Sequence, residues 1–120
     1  MKDNIFKYKD LYEIQIPTWD FFRYKIPISG SGYQRIFPNF LLERILLNQI
    51  KDKKNYLFYN HPYEFFEDRI KLPKNLGYMN KFRFNIGKKD FLSKFINNLK
   101  KIREQGFIFM TIYDYLNTLK

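Results

Sequence analysis

Cysteine is absent from the 120-residue chain, which excludes both a disulfide framework and a thiolate metal site. Alanine is absent too, and histidine and tryptophan occur once each. No hydrophobic run approaches the ~20 residues needed to span a bilayer. The opening Met1-Lys2-Asp3-Asn4 leads straight into mixed polar sequence, without the pattern of a signal peptide. The expectation is therefore a soluble chain with no membrane span and no export signal of its own, cytoplasmic as encoded. Internal repeats and low-complexity linkers are also missing, so nothing divides the chain into smaller units.

Aromatic surface is abundant. Fourteen Phe and ten Tyr lie within a hydrophobic fraction of 45%, which is too apolar and too evenly spread for a disordered chain. A chain of this length buries roughly two-thirds of its surface, enough for one modest core. Lys and Arg number 22 against 12 Asp and Glu, a net charge of +10 that suits an anionic partner such as nucleic acid. The excess is spread over both halves, however. Abundant Lys, Asn, Ile, Tyr and Phe with no Ala is a pattern that AT-rich coding produces without selection for charge. A basic nucleic-acid-binding domain is accordingly a second alternative, and no nucleic-acid partner is expected.

Periodicity lays out the elements in order. Residues 5–16 carry Ile5, Tyr8, Leu11, Tyr12, Ile14 and Ile16 in a strand-like pattern closed by Pro17. Thr18 to Lys25 sets Trp19, Phe21, Phe22 and Tyr24 among charged residues, which predicts a hairpin or loop packed on a surface. Rings so placed either stack on sugars or cover a small core. The Ser29-Gly30-Ser31-Gly32 stretch predicts a loop whose glycines take positive φ and approach something closely. It is neither a phosphate-cradling P-loop nor a Rossmann fingerprint. Arg35 either reaches back over this loop with its forked donors or lies in solvent.

Pro38-Asn39 starts a helix whose apolar face is Phe40, Leu41, Leu42, Ile45, Leu46, Leu47 and Ile50, ended by the charged residues 51–54. Asn55 to Tyr59 reads as a buried strand that stops at the lone histidine, His61, followed by Pro62 and Glu64. Groups presented just past a buried strand are where α/β proteins place their chemistry. Residues 65–89 read as irregular. Asp90 is the predicted cap of a second helix whose apolar residues are Leu92, Phe95, Ile96, Leu99 and Ile102, and Gly106 falls where a C′ glycine belongs. Residues 107–112 predict a second buried strand and 113–119 a short terminal helix. The order predicts an α/β fold with parallel strands, two main helices and an N-terminal strand/hairpin excursion. So few strands neither close a barrel nor cover both faces of a sheet, so residues 1–120 read as a single partial domain of a larger fold.

Two motifs carry a family resemblance. Pro27-Ile28-Ser29-Gly30-Ser31-Gly32-Tyr33-Gln34-Arg35-Ile36-Phe37-Pro38 is followed by Phe58-Tyr59-Asn60-His61-Pro62-Tyr63-Glu64, with Lys81-Phe82-Arg83-Phe84 and Phe107-Ile108-Phe109 beyond. In this order they resemble the C-terminal region of NodB-type polysaccharide deacetylases, in the subgroup associated with exopolysaccharide and cell-surface glycan gene clusters. Ser31 replaces a usual glycine of that pattern, Gln34 an aromatic residue and Tyr63 a tryptophan. The resemblance covers roughly residues 11–116.

That resemblance implies the C-terminal portion of a distorted (β/α) barrel that removes N-acetyl groups from a glycan with a divalent, zinc-like metal. It implies His61 as the general acid that protonates the leaving amine, with Glu64 as a possible orienting carboxylate. It also implies Gly30, Gly32, Tyr33, Arg35, Tyr63 and Trp19 as substrate-binding residues, the glycine-rich loop and Arg35 sitting at a rim. The family's catalytic Asp motif and His-x-x-x-His pair are missing, since the chain has one histidine. Metal ligands are therefore none, no cofactor is expected in this chain, and it is expected to be inactive alone. Its partners would be an N-acetylated polysaccharide and a missing N-terminal half or complementary chain. A carbohydrate-binding or accessory module is the alternative, with Trp19, Tyr33, Tyr63 and the Lys81–Phe84 segment meeting glycan.

Overall fold

The chain's structure is a computed structural model that describes residues 5–51, 55–68 and 70–119. The N-terminal strand pattern resolves into a hairpin. Ile5–Tyr8 (β1) pairs antiparallel with Leu11–Ile14 (β2), with Ile5 opposite Ile14 and Tyr8 opposite Leu11. The aromatic stretch forms a second hairpin, Trp19–Phe21 (β3) against Tyr24–Ile26 (β4), with Phe22 in left-handed backbone at the tip.

The glycine-rich stretch corrects its sequence reading. It is a short helix, Ser31–Ile36 (α1), and neither Gly30 nor Gly32 takes a positive φ. Its backbone is committed elsewhere: the Ser31 N–H donates to Tyr59 O at 3.1 Å, the Tyr59 N–H donates to Ser29 O at 3.2 Å, and the Gln34 N–H donates to Gly30 O, starting a helical turn. The Gly30–Tyr59 pairing is a single parallel bridge.

Asn39–Lys51 (α2) buries Leu42, Ile45, Leu46 and Ile50 along one stripe. With Ile28 the first three of these make the main core, and Trp19, Phe37, Leu41, Tyr56 and Phe58 pack against it. Phe91–Glu104 (α4) lies across α2, with Lys101 and Glu43 forming a surface ion pair between them. Phe91 and Phe95 of α4 meet the rings of Phe65 and Phe58, an aromatic cluster that seats the Pro62–Phe65 3-10 turn on the helix. Asp90 precedes α4 but its side chain caps nothing, because its backbone is left-handed at φ 63. Gly106, at φ 88, follows α4 in the C′ position. Ile112–Asn117 (α5) is short and is capped by the Thr111 hydroxyl, which accepts from the Asp114 N–H.

Two further differences matter. The stretch read as irregular contains Tyr78–Asn85 (α3), which ends before left-handed Gly87. The two segments read as buried parallel strands, 55–59 and 107–112, form no strand ladder among the described residues, Tyr59 making a single parallel bridge to Gly30 and Ile112 beginning α5. Both line an open apolar groove of about 750 Å³ with Ile5, Ile50 and Ile102. The described residues thus hold two two-stranded antiparallel sheets and five α-helices, and no ladder among them closes a barrel. No helix among them is long and apolar enough to cross a membrane.

Candidate functional site

Glu64 is the hub on which the two sequence motifs meet. Its Oε2 accepts from the Ser31 hydroxyl and, at 2.8 Å, from the backbone N–H of His61. Its Oε1 lies 3.3 Å from Arg35 Nη2. The Glu64 N–H in turn donates to His61 O, and Pro62 between them has φ preset for the turn. Ser31, Arg35 and Glu64 are all buried. A buried carboxylate is stable as an ion only when its lone pairs are matched, and here a guanidinium, a hydroxyl and an amide supply the match.

Arg35 extends the clamp to α3. Its Nη1 donates to Phe84 O and Ile86 O, each at 3.1 Å, and its Nη2 donates to Arg83 O at 3.2 Å. These carbonyls are ones that a helix C-terminus leaves without intrahelical partners. The guanidinium therefore caps α3 while pairing with Glu64. Gly87 is required at this junction: a Cβ there would lie 2.3 Å from Arg35 O, on a backbone at φ 67 that favours glycine. Behind α1, Lys94 Nζ donates to Gln34 O at 2.7 Å and to Phe37 O, and burial holds its pKa below the usual lysine range. Gln34 is buried and its Nε2 donates to Ile28 O and Ser29 O, so it serves the turn before α1.

The clamp forms the floor of a groove of about 640 Å³. Over it stands the exposed imidazole of His61, stacked on Tyr63 (5.6 Å between centroids, 19° between planes) and edge-on to Tyr59 (4.9 Å, 77°). Tyr63 also leans on Phe84 at 5.9 Å. Burial, and then the Glu64 carboxylate, push the Tyr63 phenol above its usual range, with Arg35 opposing, so it stays a neutral hydrogen-bond donor. The groove thus offers one solvent-facing acid/base group between aromatic rings, on a backbone pinned from below. Such a site can stack a sugar ring and exchange a proton with it.

Seven of the eight residues singled out in the sequence line this groove: Gly30, Gly32, Tyr33, Arg35, His61, Tyr63 and Glu64. Trp19 does not. Its ring packs on Phe21 and Phe37 at the edge of the main core, away from the groove. Arg35 is beneath the groove rather than at a rim, because its fork is spent on Glu64 and the α3 carbonyls. Glu64 meets His61 through the backbone N–H, so it fixes the loop rather than the imidazole. Gly32 faces open space, a Cβ there meeting no atom within 4 Å, and so leaves the groove wide beside Tyr33. Tyr59 and Gly87 were missed. Gly87 had a legible signal, a glycine just after the helically spaced Tyr78 and Phe82.

Among the described residues no group of three or more His, Asp or Glu is placed to hold a metal ion. Both oxygens of Glu64 are engaged as well. The donor set present does not fit a metal centre.

The sequence profile described as "Domain of unknown function (DUF3473)" matches residues 3–116, nearly the whole chain. The chain belongs to this family. No curated protein and no solved structure matches it. In this DUF3473 chain the matched span contains the Gly30–Arg35 and His61–Glu64 motifs, every groove residue described above and the Gly87 junction.

Proposed function

We propose that this DUF3473 chain is the C-terminal part of a metal-dependent polysaccharide deacetylase, and that it hydrolyses nothing alone. The observation that carries this reading is the convergence of two motifs on one groove, joined by the Ser31–Glu64–Arg35 clamp, whose Ser31 and Glu64 are 33 residues apart, and the Gly30–Tyr59 bridge. The family match spans both motifs, so they belong to one domain unit, as this reading requires. In the reaction, water adds to the acetamide carbonyl, the C–N bond breaks, and His61 gives its proton to the departing amine. Imidazole suits that step because it exchanges protons near neutral pH. Tyr33, Tyr59 and Tyr63 hold the sugar, and the clamp keeps the His61 backbone from drifting. The divalent metal and the base lie in the complementary part, a second segment or chain that completes the distorted barrel.

The surface supports a complement. The chain exposes 9471 Å², whereas a compact monomer of 14.9 kDa exposes about 7,000 Å². The difference exceeds the roughly 800 Å² per partner of a standard interface. Much of it is apolar: Phe22, Ile108 and Phe40 are 93%, 81% and 76% exposed.

The test supplies the metal-binding half. The isolated chain shows no turnover of chitooligosaccharides with zinc or cobalt added. With the complementary half restored, His61→Ala lowers kcat by about 10²–10⁴-fold while metal content is unchanged. A drop below about threefold makes His61 structural, and turnover by the isolated chain ends the reading. Binding of glycan by the isolated chain, with His61→Ala neutral in the restored enzyme, favours the accessory-module alternative.

A further inference from the structure

The charges lining the groove do not balance. Among the described residues its one carboxylate is Glu64, which is buried and already paired with Arg35. Arg35 is likewise spent, on Glu64 and on three carbonyls at the end of α3. That leaves Arg83. It lines the same groove, is exposed, and makes no ion pair among the described residues. A basic residue in the last turn of a helix is ordinarily explained by the helix dipole. Here that duty is filled by Arg35, whose Nη2 bonds the carbonyl of Arg83 itself. Arg83 thus brings to the groove a guanidinium that no carboxylate pairs among the described residues. Around it stand Tyr33, Tyr63 and Phe84, whose rings present apolar faces suited to the flat side of a sugar.

We propose that the groove takes an acidic glycan, one whose sugar carboxylates lie beside its acetamido groups, and that Arg83 is the residue that binds the carboxylate. The planar fork of an arginine matches a carboxylate in bidentate geometry, which a neutral sugar cannot return. The inference rests on the glycan reading above and narrows it. The ring-lined groove also has the composition of a single-stranded nucleic-acid channel. The sugar is favoured because the groove holds one unpaired cation rather than a row that tracks phosphates.

The test titrates the whole 120-residue chain, at low salt, with three probes: chitotetraose, a tetrasaccharide alternating glucuronate with N-acetylglucosamine, and a short oligothymidylate. The expected result is binding of the acidic tetrasaccharide about tenfold tighter than chitotetraose, with the gap closed in Arg83→Gln and largely kept in Arg83→Lys. The gap closes through lost affinity for the acidic tetrasaccharide. Circular dichroism confirms that the variants fold, as the exposure of Arg83 leads one to expect. Equal or tighter binding of chitotetraose by the wild-type chain overturns the acidic-glycan proposal and leaves the glycan reading standing. A gap that survives in Arg83→Gln assigns it to the general charge of +10 and equally overturns the proposal. Tighter, Arg83-dependent binding of oligothymidylate replaces it with nucleic acid. Failure of both sugars sinks the glycan reading, and this proposal with it.

Discussion

Beneath the groove, both carboxylate oxygens of Glu64 and both terminal nitrogens of Arg35 have partners, while along residues 55–58 and 107–110 the chain turns apolar side chains to an open groove and forms no strand ladder. The first region closes its charged pair within this chain: Glu64 and the terminal nitrogens of Arg35 are matched, while Arg35 Nε, Gln34 Oε1 and Asn60 Oδ1 are buried without a partner among the described residues. The second is sequence of the kind that fills the middle of a sheet, without the sheet. Ile108 is 81% exposed although it sits in a run, Phe107 to Ile112, that reads as interior. Burial of such side chains is worth about 25 cal/mol per Å², so an interior-type run left in water has its stabilisation still to be gained. The contrast is between a buried charge pair held within the chain and an apolar face left open; under the proposed function the first is part of a site and the second is the face its complement covers.

The comparison is broken most severely at Arg35. Arg35→Met leaves Glu64 buried without its cation and is expected to cost about 3–5 kcal/mol in urea unfolding. Adding Glu64→Gln removes the stranded charge, so the double variant should be more stable than Arg35→Met alone. A loss below about 1 kcal/mol for Arg35→Met would show that the clamp is not closed in the way described.

A smaller effect is expected at Tyr56, one of the polar side chains that line the apolar groove. Its hydroxyl donates to Gln49 Oε1 at 3.1 Å, and burial pushes its pKa up. A tyrosine whose folded pKa is raised keeps its proton in the folded state while the unfolded chain loses it. Stability is therefore full below the ordinary tyrosine range and falls as pH climbs above it. Lys94 acts in the opposite sense and at lower pH, because its lowered pKa lets the folded state shed a proton first and stability rise as pH climbs towards the ordinary lysine range. Tyr56→Phe should cost about 0.5–1.5 kcal/mol at neutral pH and flatten the alkaline loss. An unchanged alkaline slope between pH 9 and 11 would mean the hydroxyl is hydrated.

The smallest effect sharpens the contrast. Ile108→Thr should change the isolated chain's stability by no more than about 0.5 kcal/mol, since the side chain is in water. In the presence of a complementary half it should weaken assembly measurably by analytical ultracentrifugation. Insensitivity of assembly would place the docking face elsewhere.

Much of the site was legible because its residues are chemically distinctive and linked to local turns. A lone histidine before proline, a Gly-Ser-Gly run and an arginine stand out in a chain of Phe, Tyr and Lys. Seven of the eight candidate residues lie together because the Tyr59 N–H donates to Ser29 O and the Ser31 N–H donates to Tyr59 O, which no sequence spacing reveals. Trp19 was misplaced because an aromatic ring serves a core and a sugar equally well, and only its contacts with Phe21 and Phe37 decide. The helix α3 was missed because its residues are all at least partly exposed, so it has no clean apolar stripe.

What the sequence determined alone was local: the amphipathic stripes of α2 and α4, the turn at His61-Pro62, the left-handed glycine after α4, and the absence of enough histidine for a metal pair. These follow from periodicity, fixed φ and composition, each of which acts within a few residues. The partners of Glu64, the burial of Arg35 beneath the groove and the cap it places on α3 were decided only in three dimensions. A buried charge takes whichever partners the packing brings within reach, and here they come from residues 31, 35 and 61, with Arg35 carrying the link on to 83–86.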